Sequence, residues 1–188
     1  MLQPELLERV LFLLHKNEIE YMMTGSFVSS FQGEPRATHD VDIVLNITKA
    51  AIPALLNAFP PPRFYLSETA IEEALQHKSM FNLLDTTQGD KIDFWILTDE
   101  PFDQSRFARK YKETIFDYPL FISAPEDTIL MKLNWAKLSG GSEKHFNDAM
   151  RVYEIQHEIL DIPYMNIWAK KLDLEELWKK LKEESQPL

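Results

Sequence analysis

The segment Asp40-Val41-Asp42-Ile43-Val44-Leu45-Asn46 constrains this chain more than any other. Its β-branched residues and its alternation specify a strand. Side chains at i and i+2 share one face, so Asp40 and Asp42 stand together while Val41 and Ile43 face the core. Neighbouring carboxylates repel each other unless a cation lies between them. Hard oxygen ligands favour Mg²⁺ or Mn²⁺. The pair therefore marks a candidate metal site.

A third acid and a turn sharpen that reading. Asp93 lies inside the apolar run Lys91-Ile92-Asp93-Phe94-Trp95-Ile96, where a charge is costly unless it is paired or bound to metal. Three carboxylates on adjacent strands suit two divalent ions about 3.5–4 Å apart, the clamp used for in-line displacement at phosphorus. Upstream, Thr24-Gly25-Ser26 ends an apolar run and leads into a short helix. Glycine admits close approach of an anion, and a helix N-terminus offers free N–H groups. This is the pattern of a phosphate cradle, with the Ser26 hydroxyl added.

The chain has 188 residues, of which 45% are hydrophobic. That is enough for one ordinary domain with a real core. There is no cysteine, which excludes disulfides, thiolate metal sites and cysteine nucleophiles. No apolar run reaches the ~18–20 residues of a membrane-spanning helix, and no basic stretch precedes an apolar one near Met1. The expected location is the cytoplasm. The net charge of −10 gives no general attraction to nucleic acid. Arg106, Arg109, Lys110 and Lys112, and the later Lys170, Lys171, Lys179, Lys180 and Lys182, read as solvated helix faces with acids beside them.

Periodicity predicts a helix over 3–16, a strand over Ile19–Met23, a short helix over Ser26–Phe31 ending near Gly33, and the strand Asp40–Asn46. Thr48 is a candidate cap for a helix over 49–59, which Pro60-Pro61-Pro62 ends. A helix follows over 69–76. Strands over Ser79–Asp85 and Lys91–Leu97 flank a hairpin turn. A helix over 102–110 precedes two weaker strands, Lys112–Tyr118 and Leu120–Ser123. Pro125 opens a helix to Leu138, and helices over 144–157, 161–171 and 173–184 complete the chain, with Asp173 as a cap of the last. The expectation is an α+β fold, a mixed sheet flanked by helices. Its core spans 1–123, and a helical segment, 124–188, packs on it.

The run Met23-Thr24-Gly25-Ser26, a spacer of thirteen residues and then Asp40-Val41-Asp42-Ile43-Val44 resembles the signature of the polymerase-β-like nucleotidyltransferase superfamily. Asp93 resembles its third acid. Glu34 to Asp42 is similar to the corresponding segment of aminoglycoside and lincosamide nucleotidyltransferases and of AbiEii-type toxin nucleotidyltransferases. Ala124 to Leu133, containing Lys132, resembles a helix common in these relatives, as does the later Asp148. The resemblance covers roughly residues 19–150. It implies an NTP bound with Mg²⁺ (or Mn²⁺) on Asp40, Asp42 and Asp93. The β- and γ-phosphates would lie against Gly25 and Ser26, with Arg36 and Lys132 as neutralising cations. Asp93 would accept or position the proton of an acceptor hydroxyl, and pyrophosphate would leave.

The acceptor implied is a small molecule, a tRNA end or a protein side chain, and the acidic charge favours a cationic small molecule or a protein. Phe27, directly after Ser26, departs from the small residues expected there and threatens the room for a nucleotide. The alternative is a non-catalytic interaction module on the same fold, such as a toxin–antitoxin component or regulatory subunit, for which Leu172, Leu174, Leu177, Trp178 and Leu181 offer a partner face. The favoured reading of that stripe is a cap on the core. A homodimer is a further expected partner. A metal-dependent phosphodiesterase is disfavoured because closely spaced histidines are missing. His39 reads as a surface or structural residue rather than a ligand, because Mg²⁺ prefers oxygen. Trp95, Trp135, Trp168 and Trp178 read as packing residues, not a base-stacking platform.

Overall fold

The structure is a computed structural model that describes residues 4–35, 40–115 and 118–186. Asp40 contributes its backbone, but its side chain lies outside the description, as do Arg36 and His39 altogether.

The N-terminal helix α1 (Pro4–Lys16) forms because Leu6, Leu7, Val10, Leu11, Leu13 and Leu14 recur at helical spacing, and all six are buried. Each such side chain contributes about 1.5–3 kcal/mol by leaving water. Strand β1 (Glu20–Thr24) runs straight into α2 (Gly25–Gln32), and β2 (Asp40–Asn46) follows. A 3₁₀ turn at Lys49–Ala51 then precedes α3 (Ile52–Ala58). Next come β3 (Phe64–Tyr65), α4 (Glu68–His77), β4 (Met80–Asp85) and β5 (Lys91–Ile96). After α5 (Pro101–Ala108), β6 (Tyr111–Ile115) and β7 (Tyr118–Ile122) end the sheet. Four helices follow: α6 (Pro125–Leu138), α7 (Glu143–Gln156), α8 (Ile162–Lys171) and α9 (Glu175–Glu184).

The seven strands form one mixed sheet in the order β3-β4-β5-β2-β1-β7-β6. The register decides the rest. Strand β2 lies antiparallel to β1 with Thr24 opposite Asp42. It lies parallel to β5 with Asp42 beside Asp93 and Val44 beside Trp95. Because side chains alternate, the sheet has two distinct faces. Val41, Ile43, Leu45, Ile92, Phe94 and Ile96 enter the main core with residues of α1, α3 and α4. The opposite face carries Asp42, Val44, Asp93 and Trp95, and there Val44 packs with Met22, Leu97 and Phe107.

A second core holds the last four helices together through Leu130, Leu133, Phe146, Trp168, Trp178 and Leu181, with Phe102 of α5 among them. Leu174, Trp178 and Leu181, the centre of the stripe expected to cap the core or else to meet a partner, are each at most 3% exposed. They are spent on this internal core. Helix α2 links the two cores. Gly33 at its end packs so closely on α7 that an added Cβ would stand 2.9 Å from the Val152 nitrogen. Gln32 donates to the Ser123 carbonyl at 2.7 Å, and Gln156 donates to the Gln32 carbonyl at 2.8 Å.

Some local expectations fail for physical reasons. Asp173 does not cap α9. It adopts φ 52, and Leu174 takes the cap position. Thr48 stands at a cap position but makes no side-chain cap bond. Strand β3 has only two residues and carries too little pattern to be read. Arg106 is 7% exposed and Arg109 pairs with Glu126 and Asp127, so neither belongs to a solvated face. The later lysines are exposed as expected. Among the described residues, no helix is long and apolar enough to cross a membrane.

Candidate active site

The polar face of the sheet opens beside the junction of β1 and α2. Gly25 makes that junction at φ 71, a backbone conformation that favours glycine. Space requires glycine as well, since a Cβ there would stand 2.0 Å from Asp42 Oδ2. The missing side chain is thus what lets the Asp42 carboxylate rest over the start of α2. Ser26 follows in the first turn of that helix, where backbone N–H groups lack intrahelical acceptors.

Lys132 of α6 reaches the same place from the other core. It is 4% exposed, so it is not a snorkelling surface lysine. Its Nζ donates to Ser26 Oγ at 3.2 Å and to Asp148 Oδ2 of α7 at 2.7 Å. The expected division near residue 124 therefore does not divide the site, to which both parts contribute.

Asp93, on β5, is 8% exposed. Its Oδ2 pairs with Lys91 Nζ at 2.8 Å. Its Oδ1 is buried without a hydrogen-bond partner. A buried charged oxygen without a donor costs free energy, and such an atom is a natural ligand for a cation. Asp42 Oδ1 accepts from the Trp95 indole N–H at 3.1 Å. Among the described residues no three acids or imidazoles are grouped as a metal cluster. The donor set that is described, two carboxylates in register with one orphaned oxygen, fits a hard divalent cation.

A cavity of about 300 Å³ adjoins Asp42. Gly25, Ser26, Asp42 and Lys132 line one end. Trp95, Trp135 and Met131 form an apolar wall. Arg106, Thr128 and His145 complete it. Phe27 turns away and packs against the main core, so it does not fill this space. Trp95 packs against Met22, Val44, Leu97 and Phe107 as expected and lines the cavity as well, whereas Trp135, also in the lining, is 39% exposed. Sequence pattern carried no signal for Arg106, Thr128 or His145. A signal for Trp95 existed: it is two residues from Asp93, hence on the same face.

No family profile matches the chain, and no curated protein sequence matches it. Solved structures do. A lincosamide antibiotic adenylyltransferase bound to lincomycin is 14% identical, with a TM-score of 0.54, over 82% of this chain and 98% of that one. The antibiotic-resistance factor ANT(2'')-Ia, in complex with adenylyl-2''-tobramycin, is 12% identical, with a TM-score of 0.53, over 95% and 96% of the two chains. A nucleotidyltransferase-like antigenic protein from Paracoccidioides brasiliensis is 17% identical, with a TM-score of 0.54, over 95% and 91%. The fold is that of the polymerase-β-like nucleotidyltransferases. In this nucleotidyltransferase fold, Asp42 lines the open cavity and Asp93 lies beside it in register, buried.

Proposed function

We propose that the chain is a nucleotidyltransferase that moves an NMP group from an NTP to a hydroxyl acceptor with the help of Mg²⁺ or Mn²⁺. The observation that carries the reading is Asp93 Oδ1, buried without a partner on the strand that sets Asp93 in register with Asp42. Asp42 and Asp93, with Asp40 from the same face of β2, would hold the metal. The ion, when bound, supplies positive charge where phosphate oxygens gain negative charge. Gly25 and Ser26 receive the terminal phosphates at the start of α2, and Lys132, with Ser26 in reach, adds a cation. Arg36 remains a second proposed cation.

In this reaction the acceptor oxygen bonds to the α-phosphorus and the bond to the β-phosphate oxygen breaks. Pyrophosphate leaves, and the hydroxyl proton passes to the Asp93 carboxylate. Positioning and charge neutralisation account for most of the rate in such transfers. The adenylyl-2''-tobramycin held by one structural neighbour supports a small hydroxylated acceptor, and the net charge of −10 supports a cationic one. The test is incubation with α-labelled NTPs, Mg²⁺ and panels of small hydroxylated amines, tRNA and proteins. Label should move to an acceptor with wild-type protein and not with Asp42→Asn. Calorimetry showing no NTP binding in the presence of Mg²⁺ ends the proposal.

A further inference from the structure

We infer that Arg106 and Thr128 form the recognition floor for the base of the bound nucleotide, with Trp135 and Trp95 as its stacking wall. The inference rests on the nucleotidyl-transfer reading above and adds what part of the substrate enters the cavity.

Arg106 is unusual among the cations of this chain. It is 7% exposed, and its Nε is fixed by Asp103 Oδ1 at 2.8 Å. Asp103 is itself held by the Thr98 hydroxyl. The ion pair with Asp103 settles the charge of the guanidinium but not its hydrogen bonding, for Nη1 is buried without an acceptor. Thr128, 2% exposed, has a hydroxyl in the same condition. Native proteins rarely leave buried polar atoms unpaired, because each unmade bond costs free energy. Here the two residues that carry these unpaired atoms both line one cavity, which also includes Gly25, Ser26 and Asp42.

The walls select the shape of the occupant. The Trp95 and Trp135 rings lie 6.0 Å apart between centroids, and Trp135 keeps exposed surface that a second ring would cover. Met131 and Val44 add apolar lining. A planar ring with acceptor atoms on its edge satisfies all of these groups together. Its face meets indole, and its edge meets Nη1 and the hydroxyl. A nucleobase has this chemistry, since every base carries a π-face and ring or carbonyl acceptors. The volume of about 300 Å³ sits at the low end for ligand pockets, suiting a nucleotide rather than a nucleotide with a large acceptor.

Calorimetry with Mg²⁺ tests this, comparing non-hydrolysable triphosphates of the four bases with inorganic tripolyphosphate. Arg106→Lys keeps the charge beside Asp103 but loses Nη1, and Thr128→Val is nearly isosteric. Each should weaken nucleotide binding roughly tenfold or more and leave tripolyphosphate binding unchanged. Trp135→Ala should show the same pattern. The inference is overturned if both polar variants bind nucleotide like the wild type. It is also overturned if tripolyphosphate weakens equally, or if wild type binds tripolyphosphate as tightly as any nucleotide. In those cases the transfer reading stands. If wild type binds neither ligand, the transfer reading fails and this one falls with it.

Discussion

Two regions bury carboxylates, and they treat them in opposite ways. At the head of α6, Asp127 is 0% exposed, and both its oxygens are bonded by the chain. Oδ1 accepts from the Tyr164 hydroxyl at 2.6 Å and Oδ2 from Arg109 Nε at 3.1 Å. Burial, helped by Asp127, pushes the Tyr164 hydroxyl well above its ordinary value, so it stays a donor. The Arg109 guanidinium lies 4.0 Å over the Tyr164 ring and also pairs with Glu126 at 2.9 Å. Glu126 in turn accepts from the Asp161 amide at 3.0 Å. At the sheet rim, by contrast, Asp93 keeps one oxygen without a donor. The first cluster ties α5, α6 and α8 together and needs nothing from outside. The second leaves an oxygen that the chain does not bond, where the proposed cation would bind.

The comparison breaks most sharply at Asp42. Asp42→Asn should lower nucleotidyl transfer by about a thousandfold, an effect of order 4 kcal/mol, while the melting temperature changes little. Asp127→Asn should do the reverse. It weakens the bond to Arg109, which keeps Glu126, and disturbs the hydrogen bond from the Tyr164 hydroxyl at a fully buried position. It should cost about 1–3 kcal/mol in denaturant unfolding, with near-normal transfer per folded molecule. If the two variants lose stability alike, the distinction between the regions collapses. Gly25→Ala comes next. Its Cβ would displace the Asp42 carboxylate, and a misplacement near 1 Å costs about a hundredfold in rate, read in the same transfer assay.

The smallest effect sharpens the contrast through pH. Asp85, on β4, is a second carboxylate satisfied from within. Burial raises it, but the Thr87 hydroxyl and amide, Arg63 and the Gln88 amide outweigh this and hold it at about 2, against an ordinary 3.8. A depressed carboxylate contributes stability that is full above the ordinary value and is lost as pH falls through the folded one. Urea titrations between those two values should show stability falling with acid, and Asp85→Asn should flatten that limb.

The elements of the sheet were legible because their pattern is local. Alternation in Asp40–Asn46 fixes a strand and puts its even-numbered residues on one face. An acid inside the apolar run around Asp93 has few innocent explanations. The cavity was not legible, because its walls come from pairing between distant segments. Trp95 gains its role from lying beside Val44 and donating to Asp42. Arg106 sits among mixed charges at helical spacing, and only the folded chain shows it buried. Asp173 follows the composition rule for a cap yet fails, because the backbone turns left-handed there. Phe27 looked like an obstruction next to Ser26, but on a helix the neighbouring residue points to another side.

The bond from the Trp95 indole to Asp42 has a practical consequence. The chain has four tryptophans, and Trp168 and Trp178 are shut inside the helical core. Any cation drawn to Asp42 competes for the oxygen that Trp95 holds, and so alters the surroundings of an emitting ring. If Asp42 holds the proposed cation, the protein carries its own optical gauge of its binding, readable by intrinsic fluorescence before any acceptor molecule is known.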